Sequence, residues 1–296
     1  MVLVCNKVTE KYIKIGEKLD NQILNKICVM NRDNGKKFVC WDRLDAIAEI
    51  LWDSKYRRIN PQGLFHLYAK KPINKIKDRL IVISTHIDVQ KKISRCFSIV
   101  QDDKMLGTYD NAITNAAVLS LMIEDCLPDN VMIAFTGDEE RDSCGARQLA
   151  KYLKKLEKRP LIIVLDVTDM GWKEKDYFTI ENNFLSKNIG KVVAFSASKV
   201  SERWHFVPFD VDNIPNYMRD KNCIFVEAQA DESWEYDEWN LECFSLCLPV
   251  SGDMHSNKGV LVLCESYENY KIALETIVMS LSKHISVTAF EKSKLD

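Results

Sequence analysis

The chain has 296 residues, of which 46% are hydrophobic and 28% are charged, and its formal net charge at pH 7 is −2. This composition is typical of globular proteins with a sizeable core, and the absence of a basic stripe argues against a nucleic-acid partner. Because the sequence shows neither a secretory signal nor a run of about 18 apolar residues, and because its ten cysteines form no Cys-x-x-Cys pair, we expect a cytoplasmic protein that does not enter a membrane.

Predicted strands and helices alternate along the first half of the chain. Apolar residues at helical spacing predict a helix over 44–51, with Asp42 as a possible N-cap. Helices are also predicted over 112–125, capped by Asp110 or Asn111, and over 144–156. Short apolar runs predict strands over 63–68, 79–85, 96–101, 131–136 and 161–165. Since nearly continuous apolar strands that alternate with helices are typical of sheets covered on both faces, we predict a mostly parallel sheet.

The second half of the chain has a weaker pattern. It predicts strands over 177–180, 204–209, 224–226 and 244–249, an extended segment over 260–263 and a closing helix over 268–284. We find no repeat and no linker, so we expect one catalytic domain over residues 1–296. The predicted fold class is α/β with three layers, in which a predominantly parallel mixed sheet has helices on both faces.

Potential metal ligands follow the ends of several predicted strands. His86 and Asp166 end two of them, and the strand over 131–136 leads into the acids Asp138 to Glu140. Three adjacent carboxylates repel one another unless a cation or hydrogen bonds offset their charge. The alternative is an acidic helix start, because acids are favourable near a helix N-terminus. Ligand sites form where the carboxyl ends of parallel strands meet, so we predict a metal site at this edge.

Two further residues, Asp110 and His255, complete a set that could surround two ions. Two divalent ions that share a water need imidazoles and carboxylates from several strand ends, because one local motif cannot surround both. The chain offers His86, Asp110, Glu140, Asp166 and His255, with Glu139 beside Glu140.

Five short motifs carry these residues. They are His-Ile-Asp at 86–88, Gly-Thr-Tyr-Asp-Asn at 107–111, Thr-Gly-Asp-Glu-Glu at 136–140, Leu-Asp-Val-Thr at 165–168 and Met-His-Ser at 254–256. In this order they resemble the zinc-dependent exopeptidase superfamily, which contains the dinuclear metallo-aminopeptidases and carboxypeptidases. The resemblance covers the chain from His86 to His255.

The resemblance implies a role for each residue of the predicted site. It implies that Asp110 bridges two divalent ions, most simply zinc, with cobalt or manganese as alternatives. One ion would be completed by His86 and Asp166, and the other by Glu140 and His255. It also implies that Glu139 is the general base that activates a metal-bridging water, and that Asp88 orients His86.

The leading hypothesis is therefore a metal-dependent hydrolase of peptide bonds, and within that class an aminopeptidase. One alternative keeps the two ions but hydrolyses N-acyl amino acids or other small amides. An alternative of another class is a non-catalytic binding module that retains the fold. The segment Asp231 to Glu242 contains acids and tryptophans. It either lines the substrate pocket, where acids would meet an amine and tryptophans an apolar side chain, or forms an exposed acidic loop.

Departures from the family pattern concern the substrate rather than the ligands. Many relatives carry an acid where this chain has Lys258, three residues after His255. Many also contain an inserted lid or dimerisation domain, for which the stretch 89–109 is too short, so we expect none. The side-chain preference and the oligomeric state do not follow from the sequence.

Overall fold

A computed structural model describes residues 20–29, 40–60, 63–156, 158–219 and 223–292 of the chain. Within these ranges, no helix is both long enough and apolar enough to cross a membrane. The first helix, α1, covers residues 20–27. The next is α2 (Trp41–Ile50), which confirms the helix predicted over 44–51. Its N-cap position is occupied by Cys40, so the prediction that Asp42 caps this helix is wrong, and Asp42 lies in the first turn instead.

Twelve strands lie within the described ranges. They are β1 (Arg57–Arg58), β2 (Phe65–Ala69), β3 (Ile81–His86), β4 (Ser98–Gln101), β5 (Lys104–Gly107), β6 (Val131–Thr136), β7 (Leu161–Thr168), β8 (Phe178–Glu181), β9 (Trp204–Val207), β10 (Cys243–Pro249), β11 (Ser251–Gly252) and β12 (Val260–Leu263). Eight of these strands form the main sheet in the order β1-β2-β6-β3-β7-β10-β8-β9. The inner strands β6, β3, β7 and β10 pair in parallel, whereas β2 and β8 run antiparallel to their inner neighbours. The predicted mixed, mostly parallel sheet is confirmed.

Helices cover both faces of the main sheet. After α2 they are α3 (Ala112–Ile123), α4 (Glu139–Asp142), α5 (Cys144–Lys154), α6 (Lys187–Val200), α7 (Asn216–Arg219), α8 (Ser233–Glu238) and α9 (Cys264–Lys292). On one face, α3 and α9 contact the sheet and α6 packs on α9; on the other, α5 and α8 contact it. Because side chains alternate along a strand, Ile83 packs into the first apolar core and Val82 into the second. The predicted three-layer α/β architecture is confirmed.

A second sheet brings together two parts of the chain that are distant in sequence. Its four strands lie in the order β11-β12-β5-β4, and each neighbouring pair is antiparallel. Strand β5 ends three residues before Asp110, and β11 ends three residues before His255. The sheet therefore places these two distant residues at the same edge of the fold. Strands β4 and β5 occupy the stretch 89–109, where we expected no inserted domain.

Three sequence predictions differ from the structure in the second half of the chain. Helix α6 was not predicted, because its run of Val, Ser and Gly residues weakens the helical signal and its stability comes from packing on α9. The strand predicted over 224–226 is wrong, since only an isolated bridge between Phe206 and Cys223 forms there. The closing helix begins at Cys264 rather than at residue 268.

Gly145 fixes the end of β6 against the start of α5. Its N–H donates to the carbonyl of Gly137 at 2.9 Å, and the Gly137 N–H donates to the carbonyl of Leu64 at 2.8 Å. A Cβ atom at position 145 would lie 2.4 Å from the Gly137 oxygen and 2.7 Å from the Leu64 oxygen, and both are backbone atoms that cannot rotate away. The acidic turn between Gly137 and Gly145 is thereby closed by backbone contacts.

We expect Gly145→Ala to lower the free energy of unfolding by about 1–3 kcal/mol, which is the usual cost of overpacking. Chemical denaturation measures this change. Lys151→Ala, on the exposed side of the same helix, is the control and should shift the free energy by less than about 0.5 kcal/mol. A Gly145→Ala protein as stable as the wild type would contradict the close packing described for this turn.

Candidate metal centre

The predicted ligands meet at the carboxyl edge of the main sheet. His86 is the last residue of β3, Asp166 lies near the end of β7, and Glu140 lies in α4 directly after β6. Asp110 precedes α3, and His255 lies between β11 and β12 of the second sheet. Among the described residues, four sets of three have ligand atoms within 4.8 Å of one another, and two of these sets share Asp110: His86, Asp110 and Asp166 form one, and Asp110, Glu140 and His255 form the other.

Asp110 lies between the two imidazoles. Its Oδ1 is 3.0 Å from His86 Nε2, and its Oδ2 is 3.3 Å from His255 Nε2. His86 Nε2 is also 3.7 Å from Asp166 Oδ1, and His255 Nε2 is 3.4 Å from Glu140 Oε2. Each oxygen of Asp110 thus belongs to a different set, which is the arrangement that a carboxylate shared by two cations requires.

Two carboxylate oxygens in this group lack the partners that buried acceptors normally have. Asp110 Oδ1 and Glu140 Oε1 are buried and accept no hydrogen bond of normal geometry from the described residues, although His86 Nε2 lies 3.0 Å from Asp110 Oδ1. Leaving such acceptors unsatisfied costs about 1–3 kcal/mol each, and more when they are charged. Imidazole and carboxylate ligands suit zinc and related divalent ions. The residues present therefore fit metal ions.

The electrostatics of the group show an excess of negative charge. Burial, together with the neighbouring carboxylates, raises the pKa of Glu140 to about 8 and the pKa of Glu139 well above its ordinary value. Burial also raises the pKa of Asp166 to about 6. Although burial opposes a charged imidazole, Glu139 and Asp110 raise the pKa of His86 well above its ordinary value. Carboxylates packed this closely resist ionisation without a positive charge among them.

Asp88 is fully buried beneath the acidic turn. Its Oδ1 and Oδ2 accept the backbone N–H groups of Glu139 at 3.2 Å and Glu140 at 3.1 Å. Its Oδ1 is also 3.4 Å from His86 Nδ1. The sequence predicted only the contact with His86. The backbone contacts were not predicted, because they depend on the conformation of the turn.

The neighbouring acids fall into different groups of potential ligands. Ligand atoms of Glu139 lie within 4.8 Å of those of His86 and Glu140, whereas Asp138 groups with Asp142 and Cys144 instead. Asn111 occupies the N-cap position of α3, but its side chain forms no cap there. Its Nδ2 donates instead to the carbonyl of Leu165 at 2.6 Å.

A cavity of about 300 Å³ adjoins these residues. From the segment Asp231 to Glu242, only Asp231 lines it among the described residues. Trp234 packs against Phe209 with ring centroids 4.9 Å apart, and Trp239 packs against an apolar core, so the hypothesis that the tryptophans line this pocket is wrong.

Several lining residues were missed in the sequence, because a single residue within a strand, helix or loop carries no distinctive signal of its own. They are Gln90, Arg141, Glu181 and Cys247. Gln90 Nε2 donates to Glu140 Oε2 at 3.1 Å. Burial raises the pKa of Glu181 to about 7.

Comparison with known families finds one match. The model described as Peptidase family M28 matches residues 67–231. This range contains Asp88, Asp110, Glu139, Glu140 and Asp166 but ends before His255. No curated protein has a sequence that matches the chain.

Solved structures share the fold at low sequence identity. BSAP, a zinc aminopeptidase from Bacillus subtilis, has 13% identity and a TM-score of 0.52, with 72% of this chain and 49% of that chain covered. The TET1 peptidase of Pyrococcus horikoshii has 12% identity and a TM-score of 0.59, with 89% and 99% covered. Aminopeptidase APDkam598 from the archaeon Desulfurococcus kamchatkensis has 9% identity and a TM-score of 0.62, with 90% and 98% covered. The chain thus spans about half the length of the Bacillus protein and nearly all of the other two.

We expect Asp88→Asn to lower zinc affinity by about 10–100-fold, the usual effect of losing a carboxylate that supports a metal ligand. The amide removes the negative charge beside His86 and turns an N–H donor toward the backbone N–H groups of the acidic turn. Competition with a chromophoric chelator measures the affinity. Asp53→Asn, an exposed change in the turn after α2, should leave it within about twofold. Equal affinities in all three proteins would contradict a supporting role for Asp88.

Proposed function

Since its sequence matches the family model over residues 67–231, this chain belongs to peptidase family M28, a family of zinc-dependent peptidases, and from that premise we propose that it is an aminopeptidase with two divalent ions. The observation that carries the proposal is the pair of ligand sets that share Asp110. Family membership supports metal-dependent hydrolysis of peptides. The two-ion centre, the free amino terminus of the substrate and the residue roles below belong to the proposal.

The proposed ligands divide between the ions as the two sets do. His86 and Asp166 would hold one ion, Glu140 and His255 would hold the other, and Asp110 would contribute an oxygen to each. Zinc is the proposed metal, with cobalt or manganese as alternatives. When bound, such ions polarise the scissile carbonyl and lower the pKa of a coordinated water. The unsatisfied oxygens of Asp110 and Glu140 support this assignment, because each gains a partner.

Glu139 is the proposed general base. Its carboxylate takes a proton from the attacking water and returns it to the nitrogen of the leaving amine. The Glu139 side chain is close to both His86 and Glu140, and its backbone N–H is held by Asp88. Asp88 is thus a positioning residue, because it fixes the turn that carries the base and a ligand together.

A free amino terminus fits the charge of the cavity better than an acylated one. Asp231 lines the cavity and is one of the charges that act on Asp166. Its Oδ1 accepts the N–H of Ser233 at 2.8 Å, so its other oxygen can face a substrate ammonium group. An N-acyl substrate has no positive charge to offer at this position. This contrast in charge favours the aminopeptidase over the small-amide hydrolase. The proposed base, Glu139, favours either enzyme over a non-catalytic binding module.

We expect Glu139→Gln to lower kcat by about 10²–10⁴-fold, the usual contribution of a general base, while metal content stays at the wild-type level. The glutamine amide keeps the size of the side chain but cannot accept a proton. Steady-state hydrolysis of a leucyl aminocoumarin substrate measures kcat, and metal analysis of the same sample measures the metal content.

Glu174→Gln, in an exposed loop, is the matched control and should hydrolyse the substrate at the wild-type rate. A Glu139→Gln protein that retains more than about a tenth of wild-type kcat with full metal content would exclude Glu139 as the base.

Removal of metal with a chelator should abolish hydrolysis, and added zinc should restore it. The zinc-loaded protein should cleave leucinamide but not N-acetylleucinamide, because the acetyl group removes the positive charge that the cavity is proposed to bind. Preferred cleavage of the acetylated compound would support the small-amide hydrolase instead. Tight binding of both without turnover would favour a binding module.

A further inference from the structure

Glu181 is a buried acid in the cavity that the proposed mechanism does not use. It is the last residue of β8, only 4% of it is exposed, and it lines the same cavity as the metal ligands. Its Oε1 accepts a hydrogen bond from Thr179 Oγ1 at 2.6 Å. A neutral hydroxyl does not offset a buried carboxylate charge, so Glu181 needs a positive partner when it is ionised.

The side chains beside Glu181 leave room for further hydrogen bonds. Ser245 is its register partner on β10 and therefore points to the same face of the sheet. The Ser245 hydroxyl is fully buried and has no hydrogen-bond partner among the described residues. An ammonium or guanidinium group in the cavity, which has several N–H donors, can reach Glu181, whereas Ser245 lies on the same face but does not line the cavity.

The cavity wall supplies no cation close to Glu181. Among the described residues that line the cavity, Arg141 is the single lysine or arginine. It lies in α4, which follows β6, and three strands separate β6 from β8 in the sheet. The acids at the centre, Asp110, Glu139, Glu140 and Asp166, carry together the charge that two divalent ions offset. Glu181 is a further acid beside them, and Asp166 and Asp231 are among the charges that act on it.

Sheet geometry separates Glu181 from the position of the substrate α-amine. Asp166 pairs with Cys247, and Cys247 pairs with Thr179, so two strand spacings of about 4.8 Å each lie between Asp166 and Thr179. Glu181 is two residues farther along β8, which adds about 7 Å and gives a Cα separation of about 12 Å from Asp166. The α-amine is only about 2.5 Å from the scissile carbon, so it remains beside the ions. A lysine side chain, which carries its charge about 6 Å from Cα, reaches toward Glu181.

We propose that Glu181 forms the inner end of the pocket for the first side chain of the substrate, and that the enzyme prefers peptides with an N-terminal lysine or arginine. The inference rests on the proposed aminopeptidase function. It concerns a different contact, because Asp231 meets the α-amine and Glu181 meets the basic side chain.

The test compares lysyl and norleucyl aminocoumarin substrates, which differ chiefly in the terminal ammonium group. For the zinc-loaded wild type, we expect kcat/KM for the lysyl substrate to exceed that for the norleucyl substrate by about 10–100-fold. The reason is that the lysyl ammonium group pairs with the buried Glu181, whereas the norleucyl side chain leaves Glu181 without a charged partner. In Glu181→Gln this ratio should fall by about tenfold or more. Glu181→Asp keeps the charge and should retain part of the preference. Glu238→Gln, on α8 outside the cavity, should keep the wild-type ratio.

Three results would overturn the proposal. The first is a wild type that cleaves the lysyl substrate no better than the norleucyl substrate. The second is a Glu181→Gln protein whose ratio of kcat/KM for the two substrates equals that of the wild type. The third is an equal loss of kcat/KM for both substrates in Glu181→Gln, which would assign Glu181 to binding of the α-amine or to structure. If neither substrate is cleaved, the proposed function fails, and calorimetry then tests the pocket separately. Lysinamide should bind the zinc-loaded wild type about tenfold more tightly than norleucinamide. Glu181→Gln should remove that difference in affinity. Equal binding of the two amides to the wild type would overturn the proposed side-chain pocket as well.

Discussion

The close packing of buried carboxylates at the carboxyl edge of the sheet is the constraint on which the rest of this structure depends. Asp110 lies within 3.3 Å of two imidazoles, and Glu140 and Asp166 lie just beyond them. Such a group is unstable as a set of bare charges, because burial penalises each ionised acid and each acid repels the next. The two divalent cations that we propose would remove both costs. The same charge arrangement therefore accounts for the stability of the site and for its proposed chemistry.

The fold meets this constraint by bringing distant residues to one edge. Parallel strands deliver His86 and Asp166 directly, and the second sheet carries Asp110 and His255 toward them. Asp88 adds a further connection, because one buried carboxylate contacts His86 and also holds the backbone of the turn that carries the two glutamates. The positions of the proposed ligands are thus set by the ends of strands and by the backbone of the acidic turn, which favours a pre-organised site.

The sequence predicted the centre of the fold and the members of the site better than its surroundings. Strand β6 was predicted to the residue, because continuous apolar runs are unambiguous when both faces of a sheet are covered. The order of the motifs named the proposed ligands, and the structure brings their side chains together. Helix α6 was missed, because its stability comes from packing on α9 rather than from local propensity. Glu181 was also missed, because only the pairing of β8 with β10 shows that an acid near a strand end faces the cavity. The local periodicity of a sequence does not indicate which strands pair with one another in the fold.

The central claim is that Asp110 joins two metal ions, and anomalous diffraction at the zinc edge tests it most directly. Crystals grown with zinc should show two anomalous peaks, one beside His86 and Asp166 and one beside Glu140 and His255, with Asp110 between them. Separations of about 3.5–4 Å are usual for such pairs. Crystals of Asp110→Asn should show weaker peaks at both positions. A single peak in the wild type, or two peaks that Asp110 does not contact, would contradict the shared-carboxylate centre.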